Sequence, residues 1–256
     1  MKNKTALVTG ASSGIGAVFA RKLAQDGYTV TCVARSKDKL QGLVQELGSG
    51  SRILVADLAD LSQLQRVIED VESSGYSLLV NNAGCGIYGR FEEIPLDEQE
   101  HLMTVNMNAL VRLSHAFLKK AATGDALINV SSALSLLTYP GGAVYAATKA
   151  FVTNFTESLW YENKDRGIYV MALLPGLTDT NFHAVATAGR TTAVQSMRSY
   201  PPEVVVKKAL AALKARKAPS IISGPLYSFL TFLSTRLMSR KRMITIMGKG
   251  SSGLRK

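Results

Sequence analysis

Short runs of apolar, β-branched residues alternate along the chain with longer stretches in which apolar residues recur at helical spacing. The short runs predict seven strands, at Thr5–Thr9, Thr29–Ala34, Arg52–Ala56, Leu78–Asn81, Ala126–Val130, Tyr169–Leu174 and Ser220–Ser223. The longer stretches predict helices near residues 14–26, 37–47, 61–73, 97–121, 144–165 and 202–216. Strands that are apolar along nearly their whole length are buried on both faces. The pattern therefore predicts an α/β fold, a doubly wound and mostly parallel Rossmann-type sheet of about seven strands with helices on both faces.

Composition places these elements in one domain. The 256 residues are 46% hydrophobic and carry no repeat or linker, so we expect a single domain over residues 1–256.

Cys32 and Cys85 lack metal-ligand spacing, which indicates a reducing compartment, no disulfide framework and no metal site. The apolar run 6–8 is too short for a signal peptide, and no stretch reaches the roughly 18 apolar residues of a membrane span. We expect a cytoplasmic protein.

A glycine-rich turn follows the first predicted strand and opens the first helix. Residues 9–16 read TGASSGIG, a G-x-x-x-G-x-G spacing rather than the commoner G-x-G-x-x-G. Glycines here allow a tight turn, a close approach of the backbone to a pyrophosphate, and close packing of helix on strand. The free N–H groups of the helix start favour an anion. The turn predicts dinucleotide binding by Gly10, Ser12, Ser13, Gly14, Ile15 and Gly16.

The second predicted strand ends at Ala34 and is followed by Arg35. NAD-binding sites usually place an acidic residue at this strand end, for the ribose hydroxyls. Arg35 would instead pair with a 2′-phosphate, so NADP(H) is favoured over NAD(H). The alternative is that Arg35 is an ordinary solvated cation.

Tyr145 and Lys149 stand four residues apart in a predicted helix, with Ser132 thirteen residues upstream of the tyrosine. Residues at i and i+4 share one helix face, so the Lys149 ammonium can lie beside the Tyr145 phenol. A neighbouring positive charge favours the phenolate and lowers the pKa of a tyrosine from about 10. This pair predicts a general acid or base that works near neutral pH.

Together with Asn81-Asn82-Ala83-Gly84, these motifs occur in the order and spacing of the classical short-chain dehydrogenases/reductases. The chain resembles that family from about Lys4 to Thr180. Its tail is similar to a bacterial-type branch that carries a C-terminal extension. Ser131 is an alternative to Ser132, but it lies fourteen residues from Tyr145, one more than the family pattern.

The resemblance implies roles for further residues. Asp57, with Leu58 beside it, would hold the adenine ring, and Asn82, Ala83 and Gly84 would pack against the adenosine part. The nicotinamide end would be contacted by the turn at Pro175, Gly176, Thr178 and Thr180, with Thr180 favoured over Thr178. Tyr145 and Lys149 would also touch the cofactor.

The implied reaction is hydride transfer between NADP(H) and a carbonyl or secondary alcohol. Ser132 would orient the carbonyl oxygen, Tyr145 would exchange the proton, and Lys149 would lower the Tyr145 pKa and bind the nicotinamide ribose. Asn106 would interrupt its helix and hold a water that leads to Lys149. The substrate is expected to be small and apolar, with 3-oxoacyl or other lipid-like ketones as one class, and a homodimer or homotetramer is expected. A non-catalytic NADP(H)-binding protein is the alternative.

Two segments bear on the substrate. Residues 177–200 are expected to form a lid, in which His183 has no assigned role. Of the 30 Lys and Arg residues, 12 lie after Glu203, where no acidic residue occurs, so the extension 224–256 is basic. An apolar stripe at helical spacing runs through Leu226, Phe229, Leu230, Leu233 and Leu237, followed by a basic cluster of Arg240, Lys241 and Arg242. A helix that roofs the cleft or meets a sister subunit is favoured over a peripheral membrane helix. Nucleic-acid binding is not expected, because no aromatic residues interleave the cations.

Overall fold

The structure is a computed structural model that describes residues 4–48, 50–187, 199–224, 237–251 and 254. Its strands are β1 (Thr5–Thr9), β2 (Thr29–Ala34), β3 (Arg52–Val55), β4 (Leu78–Asn81), β5 (Ala126–Val130), β6 (Tyr169–Pro175) and β7 (Ser220–Ser223). The seven predicted strands are confirmed, with β3 one residue shorter and β6 one residue longer than expected.

All seven strands belong to one parallel sheet with the order β3-β2-β1-β4-β5-β6-β7. The chain builds outward from β1 to β3, then returns to the other side of β1 and continues from β4 to β7. The order therefore reverses between β1 and β4. In open parallel sheets, the crevice for a ligand lies beyond the carboxyl ends of the strands at this point of reversal.

Helices cover both faces of the sheet, as predicted. They are α1 (Gly14–Gln25), α2 (Lys37–Leu47), α3 (Leu61–Ser74), α4 (Leu96–Met103), α5 (Leu110–Lys120), α6 (Ala143–Glu162), α7 (Phe182–Thr187), α8 (Pro202–Ala215) and α9 (Arg240–Gly250). On one face, α1 and α8 pack together over a core that includes Phe19, Leu23 and Val206. On the other, α3 and α5 pack over a second core that includes Leu64 and Phe117. Burial of these apolar stripes against the sheet supplies most of the stability of such a fold.

The helix predicted over residues 97–121 is not one continuous α-helix. A turn of π-helix at Thr104–Ala109 separates α4 from α5. Single π turns inside helices are rare and concentrate at functional sites. Asn106 lies in this turn and is only 1% exposed, so the helix is interrupted at the residue where the family resemblance implies a break.

The structure describes only parts of the two segments that were expected to shape the substrate cleft. The region 177–200 contains the short helix α7 and a parallel bridge between Thr178 and Tyr200, while residues 188–198 lie outside the described part. Most of the predicted apolar stripe, at 225–236, also lies outside it. The basic cluster was expected to follow this stripe, and it lies at the start of a separate helix, α9. The Ser239 hydroxyl accepts the Arg242 N–H and so caps the N-terminus of this helix. Within the described residues, no helix is long and apolar enough to cross a membrane.

Candidate active site

The glycine-rich turn lies at the carboxyl end of β1, beside the carboxyl end of β4. Gly10 has a φ of +65°, which favours glycine, and a Cβ on Gly16 would lie 2.3 Å from the Gly10 carbonyl oxygen. Asn82 ties the two strands together, since its side-chain amide donates to the Thr9 carbonyl at 2.9 Å. The predicted Asn82 and Ala83 therefore pack directly against the turn, and Ala83 N–H donates to the Thr9 hydroxyl.

The outer side of this turn fits a dinucleotide phosphate. Gly14 has a φ of +53°, and a Cβ there would lie 3.0 Å from the Thr180 side chain. Ser13 precedes α1 and makes no side-chain cap, so the first N–H groups of the helix are not capped by it. Ser12 and Ile15 are partly exposed and Ser13 is exposed on the same turn. The cradle is thus lined by backbone, hydroxyls and the positive end of a helix.

The residues predicted to bind adenosine meet at the ends of β2 and β3. Arg35 is 72% exposed, and its guanidinium lies 3.9 Å from an Asp57 carboxylate oxygen. Ala59 N–H donates to Asp57 at 3.0 Å, which holds the carboxylate at the strand end. The Leu58 side chain is buried in the core beneath α3, so its backbone is the part that can meet a ligand.

Tyr145, Lys149 and Ser132 come together at the carboxyl edge of β5. Tyr145 and Lys149 lie on α6, with the Lys149 Nζ 5.9 Å from the centre of the Tyr145 ring. Ser132 follows β5 and hydrogen-bonds the Tyr145 hydroxyl through its side chain. The Lys149 Nζ donates to the Val130 carbonyl at 3.0 Å, which fixes the ammonium beneath the tyrosine.

Burial shifts the two ionisable groups of this cluster in opposite directions. Tyr145 and Lys149 are 6% and 5% exposed. Loss of solvent raises the pKa of Tyr145 to about 12, opposed by the hydrogen bond from Ser132. The same loss lowers the pKa of Lys149 to about 8. The sequence predicts a lowered Tyr145 pKa through Lys149, whereas the pKa of the buried phenol is raised, with loss of solvent as the largest cause.

Ser131 is held by other partners. Its hydroxyl donates to the Lys149 carbonyl at 2.8 Å and lies 2.7 Å from the Thr153 hydroxyl. Of the two candidate serines, Ser132 is the one whose side chain lowers the pKa of Tyr145, against the larger effect of burial.

Asn106 joins the π turn to the rest of this cluster. Its side-chain amide donates to the Cys85 carbonyl at 2.9 Å and to the Thr148 hydroxyl at 3.1 Å, while its oxygen accepts the Cys85 N–H at 3.0 Å. A Cβ on Gly84 would lie 3.0 Å from the Asn106 side-chain oxygen and 3.3 Å from the Lys149 Nζ. Gly84 therefore leaves the space in which the asparagine and the lysine face each other.

The turn after β6 contributes the last predicted group. Pro175 ends β6, and the Thr178 hydroxyl donates back to the Gly176 carbonyl at 2.9 Å. Thr180 instead faces Gly14 of the phosphate cradle, and its hydroxyl accepts the Phe182 N–H at the start of α7. Of the two threonines, Thr180 is the one that lies over the glycine-rich turn.

An aromatic cluster surrounds Tyr145 and was not predicted from the sequence. The Tyr88 ring meets the Tyr145 and Tyr139 rings edge-on, with centroids 5.8 Å apart in each pair. His183 stacks on Tyr88 at 5.4 Å, and Phe182 lies 5.7 Å from Tyr145. The spacing of these aromatics along the chain carries no signal, because four separate segments bring them together.

The fold and the residues at the carboxyl edge of its sheet define the class of protein. It is a doubly wound α/β protein of the dinucleotide-binding type, with a tyrosine, a lysine and a serine at that edge. Within the described residues, no three His, Cys, Asp or Glu side chains gather as a metal site. A family model described as short chain dehydrogenase matches residues 4–191. The chain belongs to this family and is an oxidoreductase.

Relatives and solved structures agree with that assignment. Sulfoacetaldehyde reductase 2 of Chromohalobacter salexigens is 32% identical over 191 residues, which cover 72% of this chain and 76% of that protein. A 3-oxoacyl-(acyl-carrier-protein) reductase of Staphylococcus aureus is 37% identical over 183 residues, covering 68% and 74%. A short-chain dehydrogenase from Sphingobium yanoikuyae in complex with NADPH superposes with a TM-score of 0.77 at 32% identity, covering 86% and 87%.

Proposed function

We propose that the protein transfers a hydride between NADP(H) and the carbonyl carbon of an apolar ketone or the matching secondary alcohol. The observation that carries the proposal is the meeting of Tyr145, Ser132 and Lys149 beside the point where the strand order reverses. Bound cofactor supplies or accepts the hydride.

The chain's own residues handle the proton. Ser132 donates toward the carbonyl oxygen and orients it next to the Tyr145 hydroxyl. Tyr145, protonated at neutral pH because burial raises its pKa to about 12, donates its proton as negative charge develops on that oxygen. Lys149, fixed by the Val130 carbonyl, holds a positive charge near the resulting phenolate. Asn106 positions the backbone at Cys85 and the helix turn at Thr148 around this group.

NADP(H) rather than NAD(H) is favoured by Arg35. Its exposed guanidinium lies at the end of β2, where it can pair with a 2′-phosphate in two hydrogen bonds. Two similar solved structures are complexes with the phosphorylated cofactor. One is the Sphingobium protein with NADPH, and the other is a Burkholderia cenocepacia dehydrogenase with NADP, which is 28% identical with a TM-score of 0.76.

An apolar substrate is supported by the surroundings of Tyr145. The described side chains packed around it are mainly aromatic and aliphatic, and include Tyr88, Tyr139 and Phe182. The relatives named above act on a sulfonated aldehyde and on a 3-oxoacyl group, by their names. The apolar cluster favours substrates of the second, lipid-like kind.

A panel of ketones and aldehydes with NADPH tests the proposal through the loss of cofactor absorbance at 340 nm. We expect turnover of apolar ketones and little of charged aldehydes. Cofactor binding without turnover of any carbonyl would favour the alternative, a non-catalytic NADP(H)-binding protein.

Binding of α9 to a membrane surface is a second candidate function, and one observation favours it. Leu237 and Ile246 are 75% and 51% exposed among the cations Arg240, Lys241 and Arg242. Exposed apolar groups set among basic residues are typical of helices that lie on anionic lipid. Sedimentation with vesicles of acidic lipid tests this, and an absence of binding at low salt would end it.

A homodimer or homotetramer is proposed through α5 and α6. Phe151 on α6 is 39% exposed and stacks on Phe155 with the rings 5.7 Å apart. An exposed aromatic pair on a helix face suits a subunit contact. Light scattering coupled to gel filtration measures the mass, and a Phe151→Glu variant is expected to shift it toward the monomer.

A further inference from the structure

The apolar cluster around Tyr145 draws on the C-terminal helix as well as on the core of the fold. Its buried members are Tyr88, Leu102, Tyr139, Tyr145, Ala146 and Ala186. Met247, on α9, packs against this cluster from outside the sheet, together with Phe182 of α7. The catalytic tyrosine is therefore enclosed by residues that lie more than one hundred positions apart in the chain.

Helix α9 is seated on the domain by one face. A Cβ on Gly248 would lie 3.5 Å from the Pro140 side chain, and Ser251, directly after the helix, is fully buried. Ile246 is 51% exposed on the opposite side. Met247 and Ile246 are thus adjacent in sequence, yet only the methionine packs on the tyrosine's cluster.

This helix lies beyond the part of the chain that the family model matches. The family model ends at residue 191, while α9 spans Arg240–Gly250. A residue outside the matched range therefore packs on the cluster around Tyr145.

We propose that Met247 is a specificity-determining residue, which forms the wall that receives the apolar group carried on the substrate carbonyl. The inference rests on the proposed function and names its substrate class as ketones with a bulky, uncharged, aromatic or alicyclic substituent. The Tyr88 and Phe182 rings lie against Tyr145, and Met247 packs on the cluster that these residues belong to. A methionine beside aromatic rings is a flexible, polarisable surface that adapts to such a group.

The test changes the volume at Met247 in both directions. Met247→Trp adds side-chain volume at this position, and Met247→Ala removes it. The same two substitutions at Ile246 are the matched controls. For each variant, kcat/KM is measured with NADPH and two ketones, cyclohexanone as the compact probe and 2-acetylnaphthalene as the bulky one. Circular dichroism confirms that each variant is folded.

We expect Met247→Trp to lower kcat/KM for 2-acetylnaphthalene by about tenfold or more relative to cyclohexanone, as a clash in an apolar pocket does. Met247→Ala should change the same ratio in the opposite sense. The Ile246 variants should keep the ratio within about twofold of the original chain. Equal ratios in the Met247 and Ile246 variants would overturn the inference.

A binding measurement separates this inference from the proposed function. Each substitution is also placed in a Tyr145→Phe background, and the dissociation constant of 2-acetylnaphthalene is measured by thermal shift with NADPH present. If the unmodified chain turns over neither ketone but Met247→Trp still weakens the binding of 2-acetylnaphthalene, the proposed function fails. The role of Met247 in receiving the apolar group is then still supported. If 2-acetylnaphthalene binds to none of the variants, the substrate class assigned here is wrong.

Discussion

Opposite pKa shifts at the candidate site predict how the reaction depends on pH. Burial raises the pKa of Tyr145 to about 12 and lowers that of Lys149 to about 8. The reduction needs Tyr145 protonated and Lys149 charged, while the oxidation needs the Tyr145 phenolate with Lys149 still charged. Lys149 therefore controls the alkaline limb of the reduction.

These two pKa values set the size of the expected changes in rate. At pH 7, about nine tenths of Lys149 is protonated, and at pH 10 only about one hundredth is. The rate of reduction should be level up to pH 7 and fall about a hundredfold by pH 10. The phenolate fraction grows about tenfold per pH unit, so the rate of oxidation should rise about tenfold per unit up to pH 8. Above pH 8 it should level off, because each gain in phenolate is matched by a loss of the Lys149 charge.

Steady-state kcat is measured in both directions from pH 6 to pH 10, with cofactor and ketone saturating. Cys85 lies near Lys149, and its charge acts to raise the pKa of Lys149, so Cys85→Ser is measured alongside and should keep the shape of both profiles while moving the alkaline limb of the reduction toward lower pH. Melting curves over the same range show that the loss is not unfolding. A rate of reduction that stays level to pH 10 would refute the reasoning, as would an oxidation that is independent of pH below 8.

Three further substitutions probe the cofactor site and the π turn, and a fourth, at Gly42 in α2, is a control for the glycine change. Arg35→Ala should lower kcat/KM for NADPH about tenfold and leave NADH nearly unchanged; an equal loss for both cofactors would contradict the 2′-phosphate role. Gly16→Ala should destabilise the protein by about 1–3 kcal/mol in urea unfolding, because its Cβ meets the Gly10 carbonyl oxygen at 2.3 Å. Gly42→Ala, in a helix with no atom near its Cβ, should instead stabilise by about 0.5–1 kcal/mol. Asn106→Ala should cost about 2–3 kcal/mol, since it leaves backbone groups of the neighbouring loop unpaired; a loss below about 0.5 kcal/mol would count against that role.

The sheet was predictable because its strands are short apolar runs that must be buried on both faces. The Thr5–Thr9 and Ala126–Val130 runs carry no competing helical period, so their bounds follow from the residues alone. The glycine turn was predictable for a related reason, since only glycine at position 16 allows α1 to approach β1 so closely.

Other features depend on contacts between distant segments. The helix break at Asn106 is stabilised by the backbone at Cys85 and by Thr148, neither of which a local pattern can reveal. The Tyr145 pKa is shifted in the direction opposite to the local expectation, because burial of the phenol is the largest influence on it. Met247 lies 102 positions after Tyr145, and nothing in its own surroundings along the chain indicates that the two belong to one cluster.

The central claim is that Tyr145 exchanges the proton while the surrounding residues hold cofactor and substrate. Tyr145→Phe removes the hydroxyl and keeps the ring that packs on Tyr88 and Phe182. The account predicts that NADPH binding, followed by cofactor fluorescence, stays within about twofold, while kcat for an apolar ketone falls about 10²–10⁴-fold. A kcat within about twofold of the unmodified protein would contradict it.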